Sequence, residues 1–201
     1  MEWPDTLDPL IAALGCAGAP TSDYDLNPDT VLPPGRKLRP AGVLVPVLTT
    51  DAGPVVYLTK RASHLQRHPG QIAFPGGKQE ADDPDIITAA LREAEEEIGL
   101  APENVAVLGT LPSHETVTSF VVTPVLARLK APFKPVPEPG EVDEVFTVPL
   151  SHVLDLARYS VQSRRWRGTM RHYYTVPFGP YYIWGATACI LRALAGQVQS
   201  A

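Results

Sequence analysis

The sequence predicts an α/β or α+β layered domain, and three observations carry that prediction. Short runs rich in Val, Leu and Thr at 41–49, 55–60, 105–111 and 119–129 read as strands, and 141–150 alternates apolar and polar residues in strand fashion. Helical spacing governs 83–99, with shorter helical stretches at 6–14, 151–157 and 185–195. The two kinds of segment interleave along a chain of 201 residues, a length for which one domain is the default.

Composition bounds the function. Hydrophobic residues make up 44% and charged residues 19%, values ordinary for a globular protein with a real core. The net charge is −5 and no basic run is long, so nucleic acid is not the expected partner. No apolar stretch reaches the roughly 18 residues of a membrane span, and the start, MEWPD, has no basic n-region. Cys16 and Cys189 lie far apart without metal-ligand spacing and read as buried thiols in a reducing, cytoplasmic setting. No membrane partner is expected, and a homodimer is allowed.

Taken in order, 6–14 (TLDPLIAAL) is a short amphipathic helix with Thr6 as its N-cap. A polar, proline-rich arm follows over 16–39, with three open roles: to wrap the domain, to cover a site or to meet a second subunit. Strands 41–49 and 55–60 flank the turn DAGP, and Pro46 calls for an edge or a bulge. Residues 61–77, RASHLQRHPGQIAFPGG, set Arg61, His64, Arg67 and His68 ahead of a short strand at 71–74. This stretch is either a solvated loop or a phosphate clamp, because guanidinium forks match phosphate oxygens.

The most informative helix lies in GGKQEADDPDIITAALREAEEEIGL, residues 76–100. Pro84 suits the first turn, and Gly99 suits the left-handed stop. At roughly 100° per residue, Ile87, Ala90, Leu91, Ala94 and Ile98 share a core stripe. Glu93, Glu96 and Glu97 fall together on a neighbouring arc. Glu93 and Glu97 repel as an i,i+4 pair, and both sit near the negative end of the helix dipole. A solvated acidic face is the ordinary reading; a divalent cation held by these oxygens removes each objection.

Beyond this helix, 105–111 and 119–129 are strands joined by PSHET, and 132–140 is a proline-rich loop. Glu141 and Glu144 lie at the start of the strand over 141–150, where an acid can cap a sheet edge. A helix over 151–157 takes Ser151 as its N-cap. Arg164, Arg165, Arg167 and Arg171 crowd around Trp166 in what is either a solvated hairpin or a grip for a purine ring and a phosphate. Strand 171–177, an extended piece at 181–184 and helix 185–195 close the chain.

Residues 92–100, REAEEEIGL, resemble the second half of the Nudix box, which reads Gly, five residues, Glu, seven residues, Arg-Glu-apolar-any-Glu-Glu-any-Gly-apolar. The loop half departs from that pattern. Gly77 serves as the box glycine with one extra residue, and Glu80, Asp82 and Asp83 are the candidates for the loop acid. The resemblance implies a mixed, curved β-sheet between α-helices, with an N-terminal helix and arm over 1–37 and the Nudix domain over 38–201. It further implies Mg²⁺ or Mn²⁺ held by Glu93 and Glu97, with Glu96 and the Gly77 carbonyl close by. Arg92 would orient these carboxylates; similar segments of the family supply a further acid near the metal, which makes Glu141 and Glu144 candidates as well as sheet-edge caps, and Glu93, Glu96 and Glu144 are the candidates for general base.

Residues 58–63 (LTKRAS), Arg67 and 70–77 (GQIAFPGG) resemble the additional signature of coenzyme A diphosphatases. It implies a small-molecule substrate, coenzyme A or a derivative, cut to 3′,5′-ADP and 4′-phosphopantetheine. Lys60, Arg61, Ser63, Arg67 and Phe74 are the substrate-binding candidates. The alternatives are another Nudix substrate, such as ADP-ribose, NADH or a nucleoside triphosphate, and a nucleotide sensor without turnover. An isopentenyl diphosphate isomerase needs a cysteine near the box, where neither Cys16 nor Cys189 lies.

Overall fold

Two prolines in the middle of central strands organise the sheet. In the computed structural model, which describes residues 7–32, 35–166 (Trp166 by its backbone) and 168–201, β2 (Arg39–Thr50) runs parallel to β8 (Phe120–Leu129). On its other side β2 pairs first with β5 (Gly76–Lys78) at 41–43, then with β3 (Gly53–Arg61) at 47–50. Pro46 falls between those two partners, where a missing N–H leaves no ladder bond broken. Pro124 does the same in β8, between β7 (His114–Glu115) and β6 (Val105–Thr110). Each proline marks a change of neighbour rather than a sheet edge.

Among the described residues, the remaining strands complete a mixed nine-stranded sheet. β4 (Ile72–Ala73) and β9 (Val142–Pro149) add to β3, and β1 (Thr21–Ser22) runs parallel to β7. β10 (Ser160–Trp166) and β11 (Thr169–Thr175) form a separate antiparallel hairpin.

Helices cover both faces. Strand alternation in β2 sends Val45 and Val47 to a core shared with α1 (Asp8–Gly15), α3 (Leu150–Val153) and α4 (Ala186–Ser200). Leu44 and Leu48 point the other way, onto Ala90, Ala94 and Ile98 of α2 (Ile86–Ile98). Gly42 lets α2 lie against β2, since a Cβ there would meet the Ile86 carbonyl at 2.5 Å. Full burial of Ile98 contributes roughly 1.5–3 kcal/mol, which outweighs the few tenths lost to the Glu93–Glu97 repulsion.

Several element boundaries differ from expectation. Helix α2 begins at Ile86, so Pro84 precedes the helix instead of lying in its first turn: Asp85 is the N-cap, its carboxylate accepting the Thr88 N–H at 2.7 Å. Its end is as expected, with Gly99 at φ 67°. The helix after β9 starts at Leu150 behind Pro149, so Ser151 is inside it rather than capping it. Thr6, Arg167 and the Trp166 side chain lie outside the described residues. Among the described residues, no helix is long and apolar enough to cross a membrane. Both cysteines are free and only partly buried.

The arm after α1 wraps the domain. Asp23 bonds the buried His114 ring at 3.1 Å and the Val117 N–H at 2.9 Å, and the Thr21 hydroxyl lies 2.8 Å from the other His114 nitrogen. Asn27 then pairs with the His172 backbone, accepting its N–H at 2.8 Å and donating to its carbonyl at 2.9 Å. These bonds explain two very short strands, β1 and β7, which carry no recognisable sequence pattern.

Candidate active site

The helix α2 and the strand β5 that precedes it hold the acidic centre. Glu97 is 4% exposed, and its carboxylate accepts the Gly76 N–H at 3.0 Å. Arg61, at the end of β3, approaches the other oxygen at 3.7 Å. Burial pushes the Glu97 carboxyl up to about 8, against the pull of the Gly76 N–H and Arg61. Burial also raises Glu93, with Arg92 opposing. Glu141 adds negative potential at both carboxylates.

Gly76 and Gly77 are required by close approach. Gly76 stands at φ 149°, where a Cβ would run into the Gly42 carbonyl and the Val43 backbone. A Cβ on Gly77 would overlap the Glu93 carboxylate. The glycine pair therefore lets the loop backbone lie directly on two helix carboxylates.

Arg92 is the organiser of the outer side. It grips Asp83 with two bonds, Nε to Oδ1 at 3.0 Å and Nη2 to Oδ2 at 2.9 Å. Its Nη1 donates to Glu93 at 3.2 Å and Glu96 at 3.0 Å. The Arg92 bonds, with the Glu80 N–H, hold the Asp83 carboxyl below its ordinary value. Of the three loop acids named from sequence, Asp83 is the one that meets Arg92; Glu80 pairs with Lys78 at 3.1 Å, and Asp82 is exposed.

The three helix glutamates do not share one environment. Glu97 is buried, Glu93 is half-buried, and the Glu96 side chain is 59% exposed. The expectation that Glu144 reaches this centre is corrected by strand alternation. Glu144 shares a face with Phe146 and Val148, which pack toward α4, whereas Val145 packs toward α2. Its carboxylate accepts the Tyr181 hydroxyl at 2.6 Å. Lys60, directly opposite Glu144 in register, shares that face.

The other loop residues divide by role. Phe74 is 4% exposed within the apolar core, so its ring anchors the loop instead of offering a binding surface. Ser63 is tied down, its N–H and hydroxyl bonding Asp143 at 3.0 and 2.5 Å. Arg67 is exposed on the 62–70 segment, next to His68 at φ 55°. Sequence reasoning missed the Gly76 N–H and the Ser63–Asp143 pin. The latter follows a β-bulge at Lys60/Arg61 that the sequence does not mark.

The donor set suits a hard divalent cation. Glu93 and Glu97 present oxygen ligands in a half-dry site with raised carboxyl pKa values, the condition that a cation relieves. Among the described residues no three acidic, imidazole or thiol side chains form a ready cage. Mg²⁺ does not require one, since it keeps several waters and binds through one or two carboxylates.

The family model described as NUDIX domain matches residues 38–167. The chain is 40% identical over 186 residues to the uncharacterized Nudix hydrolase NudL of Enterobacter sp. (strain 638), an alignment covering 87% of this chain and 96% of that protein. It is 42% identical over 160 residues to the NudL of Citrobacter koseri, covering 80% and 83% respectively. The solved Nudix hydrolase RenU of M. smegmatis aligns at 26% identity with a TM-score of 0.49, over 60% of this chain and 74% of that one. With the family model matching residues 38–167, a span that holds the central sheet and the acidic helix, and a relative 40% identical over 87% of its length, this chain belongs to the Nudix family, as a hydrolase that cuts phosphoanhydride bonds in a diphosphate substrate.

Proposed function

We propose that the substrate is coenzyme A or a derivative, hydrolysed at its diphosphate bridge to 3′,5′-ADP and 4′-phosphopantetheine, with Mg²⁺ or Mn²⁺ as cofactor. One observation carries this reading. The 58–77 segment that resembles the coenzyme A signature is built into the acidic centre at both ends. Arg61 approaches Glu97 from one end, and the Gly76 N–H bonds the same carboxylate from the other. The substrate-specific segment and the acidic helix thus form one unit.

Glu93 and Glu97 are the residues that would hold the cation, and Gly77, whose Cα lies against the Glu93 carboxylate, would add its carbonyl. When bound, the cation neutralises diphosphate oxygens and acidifies a coordinated water. Arg92 does not face substrate; it fixes Glu93 and Glu96, and is itself fixed by Asp83. Arg61 offsets negative charge at Glu97 and stands where a diphosphate oxygen would approach. Arg67 is free in the exposed loop to clamp phosphate, with Ser63 holding the base of that loop on Asp143. Of the three general-base candidates, Glu93 and Glu96 stand together on Arg92 in the acidic centre, and Glu96 is the more exposed of the two, whereas Glu144 faces Tyr181.

The test is hydrolysis of a panel with Mg²⁺ or Mn²⁺: coenzyme A, ADP-ribose, NADH and a dinucleoside polyphosphate, with products resolved by mass. Release of 3′,5′-ADP from coenzyme A, with weak turnover elsewhere, is the expected result. Faster cleavage of ADP-ribose or NADH would overturn the substrate assignment. Tight binding without turnover would replace it with a sensor.

A further inference from the structure

The carbonyls that end α2 are taken up in an ordered way. The Gly99 N–H donates to Glu95 at 2.9 Å and the Leu100 N–H to Ala94 at 3.3 Å, as a left-handed helix stop allows. Two of the remaining end carbonyls go to the 132–140 loop. Val136 N–H donates to Ile98 and Glu138 N–H to Glu97, each at 2.9 Å. Successive N–H groups of an extended chain point to opposite sides, and the residues that alternate with these two donors are Pro135, Pro137 and Pro139. A proline has a fixed φ and no N–H to leave unpaired. Over 135–139 the loop is thus a stiff rod whose backbone donors are the two that the helix end uses.

The rod is fixed at its far end and continues into the acidic centre. The Asn104 side chain makes two bonds of 2.9 Å to the Ala131 backbone, and the Phe133 ring lies 5.2 Å from that of Tyr57. At the near end the Glu138 carbonyl accepts the N–H groups of Glu141 and Val142, each at 2.9 Å, and the Glu141 carbonyl accepts the Ala62 N–H at 2.8 Å. Ala62 follows Arg61, whose guanidinium approaches the Glu97 carboxylate at 3.7 Å. Backbone bonds from Glu97 through Glu138, Glu141 and Ala62 therefore lead to the guanidinium that faces the Glu97 side chain, and the ring closes on the residue where it began. The same ring carries Glu141, whose charge acts on both Glu93 and Glu97.

We infer that the 135–141 segment is a splint for the reaction centre, with the Glu138 N–H as the positioning group that sets the Glu97 carboxylate against Arg61. The splint holds Glu97 by its backbone, so slackening it lets the carboxylate and the guanidinium drift apart while both groups remain. This inference rests on the reading of Glu97 as a ligand of the divalent cation.

The experiment uses Glu138→Pro, which deletes the N–H where the chain is already proline-rich. Lys134→Pro is the control, since the Lys134 N–H makes no backbone hydrogen bond among the described residues, and Glu97→Gln is the reference. Three quantities are read: kcat and KM on the diphosphate of the panel that wild type cleaves fastest, and the Kd for Mn²⁺ from the electron paramagnetic resonance signal of the free ion. In Glu138→Pro, kcat should fall and the Mn²⁺ Kd should rise by about tenfold, with KM within about twofold, the lower end of what losing a metal ligand's support does. Glu138→Ala, which restores the donor, should recover most of the lost rate, and Lys134→Pro should match wild type. Wild-type kcat and Mn²⁺ Kd in Glu138→Pro, beside a loss in Glu97→Gln, would overturn the splint and keep the metal reading. An equal loss in Lys134→Pro would overturn it as well, assigning the effect to general damage of the loop. Wild-type Mn²⁺ binding in Glu97→Gln would defeat the metal reading of that residue, and the splint with it. Should Glu138→Pro not fold, Pro137→Gly decides: it retains both donors and loosens the chain, so kcat should drop about threefold, and a wild-type kcat there removes the splint.

Discussion

Replacing Glu97 by Gln tests the acidic centre through stability as well as activity. The carboxyl lies at about 8 rather than 4.5 because it is buried with one N–H donor and one distant guanidinium. Between those two pH values the unfolded chain has released the proton and the native chain keeps it. Native protein then binds more protons, so stability falls as pH rises through this window. Below pH 4.5 the contribution is fully present, and above pH 8 it is lost. At about 1.4 kcal/mol per pH unit, the full loss is on the order of 5 kcal/mol. Gln keeps the acceptor for Gly76 and has no proton to lose. Urea unfolding in EDTA at pH 5, 7 and 9 should therefore show metal-free wild type weakening with pH relative to Glu97→Gln. Added Mg²⁺ should recover wild-type stability by mass action and leave Glu97→Gln nearly unmoved. Parallel pH curves for the two proteins, or equal stabilisation by Mg²⁺, would refute the reasoning.

Gly77→Ala places a methyl group on the Glu93 carboxylate; a rise in the Mg²⁺ concentration for half-maximal rate and a tenfold or greater fall in kcat are expected, on the order of the loss from disturbing a metal ligand's surroundings. Gly42→Ala drives a methyl into the Ile86 carbonyl, so thermal unfolding should report a destabilisation of about 1–3 kcal/mol. Arg67→Ala removes an exposed loop cation, and steady-state kinetics should return a raised KM for coenzyme A with kcat little altered. An unchanged KM would assign that residue to solvent.

The acidic helix was legible because its information is local. Helical spacing, Pro84 and Gly99 are enough to place α2 within a residue or two. The unequal burial of its glutamates was not legible. A helical wheel gives the direction of Glu97 but not its cover, which comes from β5 and from the 132–140 loop, whose Val136 and Glu138 N–H groups bond the carbonyls of Ile98 and Glu97 at 2.9 Å. Glu144 shows a different failure. The alternation that identified β9 also put Glu144 on the face of Phe146 and Val148, away from α2, so the sequence held the correction. β1 and β7 lay beyond pattern reading, because side-chain bonds from Thr21 and Asp23 to His114 create them. The prolines were legible as interruptions but not as junctions, since the second neighbour of each strand is distant in sequence.

The junction at Pro46 separates two registers that a continuous ladder would have locked together. Beyond it β3 aligns with β2 through 47–50, and before it β5 aligns through 41–43, with no shared bond between the two. The chain joining β3 to β5 is anchored at Glu97 from both sides, while its middle carries Arg67 in solvent. Residues can therefore be added to or removed from that middle without shifting either register or tilting the acidic helix. On the proposed function, such a layout would decouple the chemistry, assigned to helix and glycines, from the choice of leaving group, assigned to a loop of adjustable length. Grafting a loop of different length and charge between Arg61 and Gln71 is accordingly the economical route to a new specificity on this scaffold.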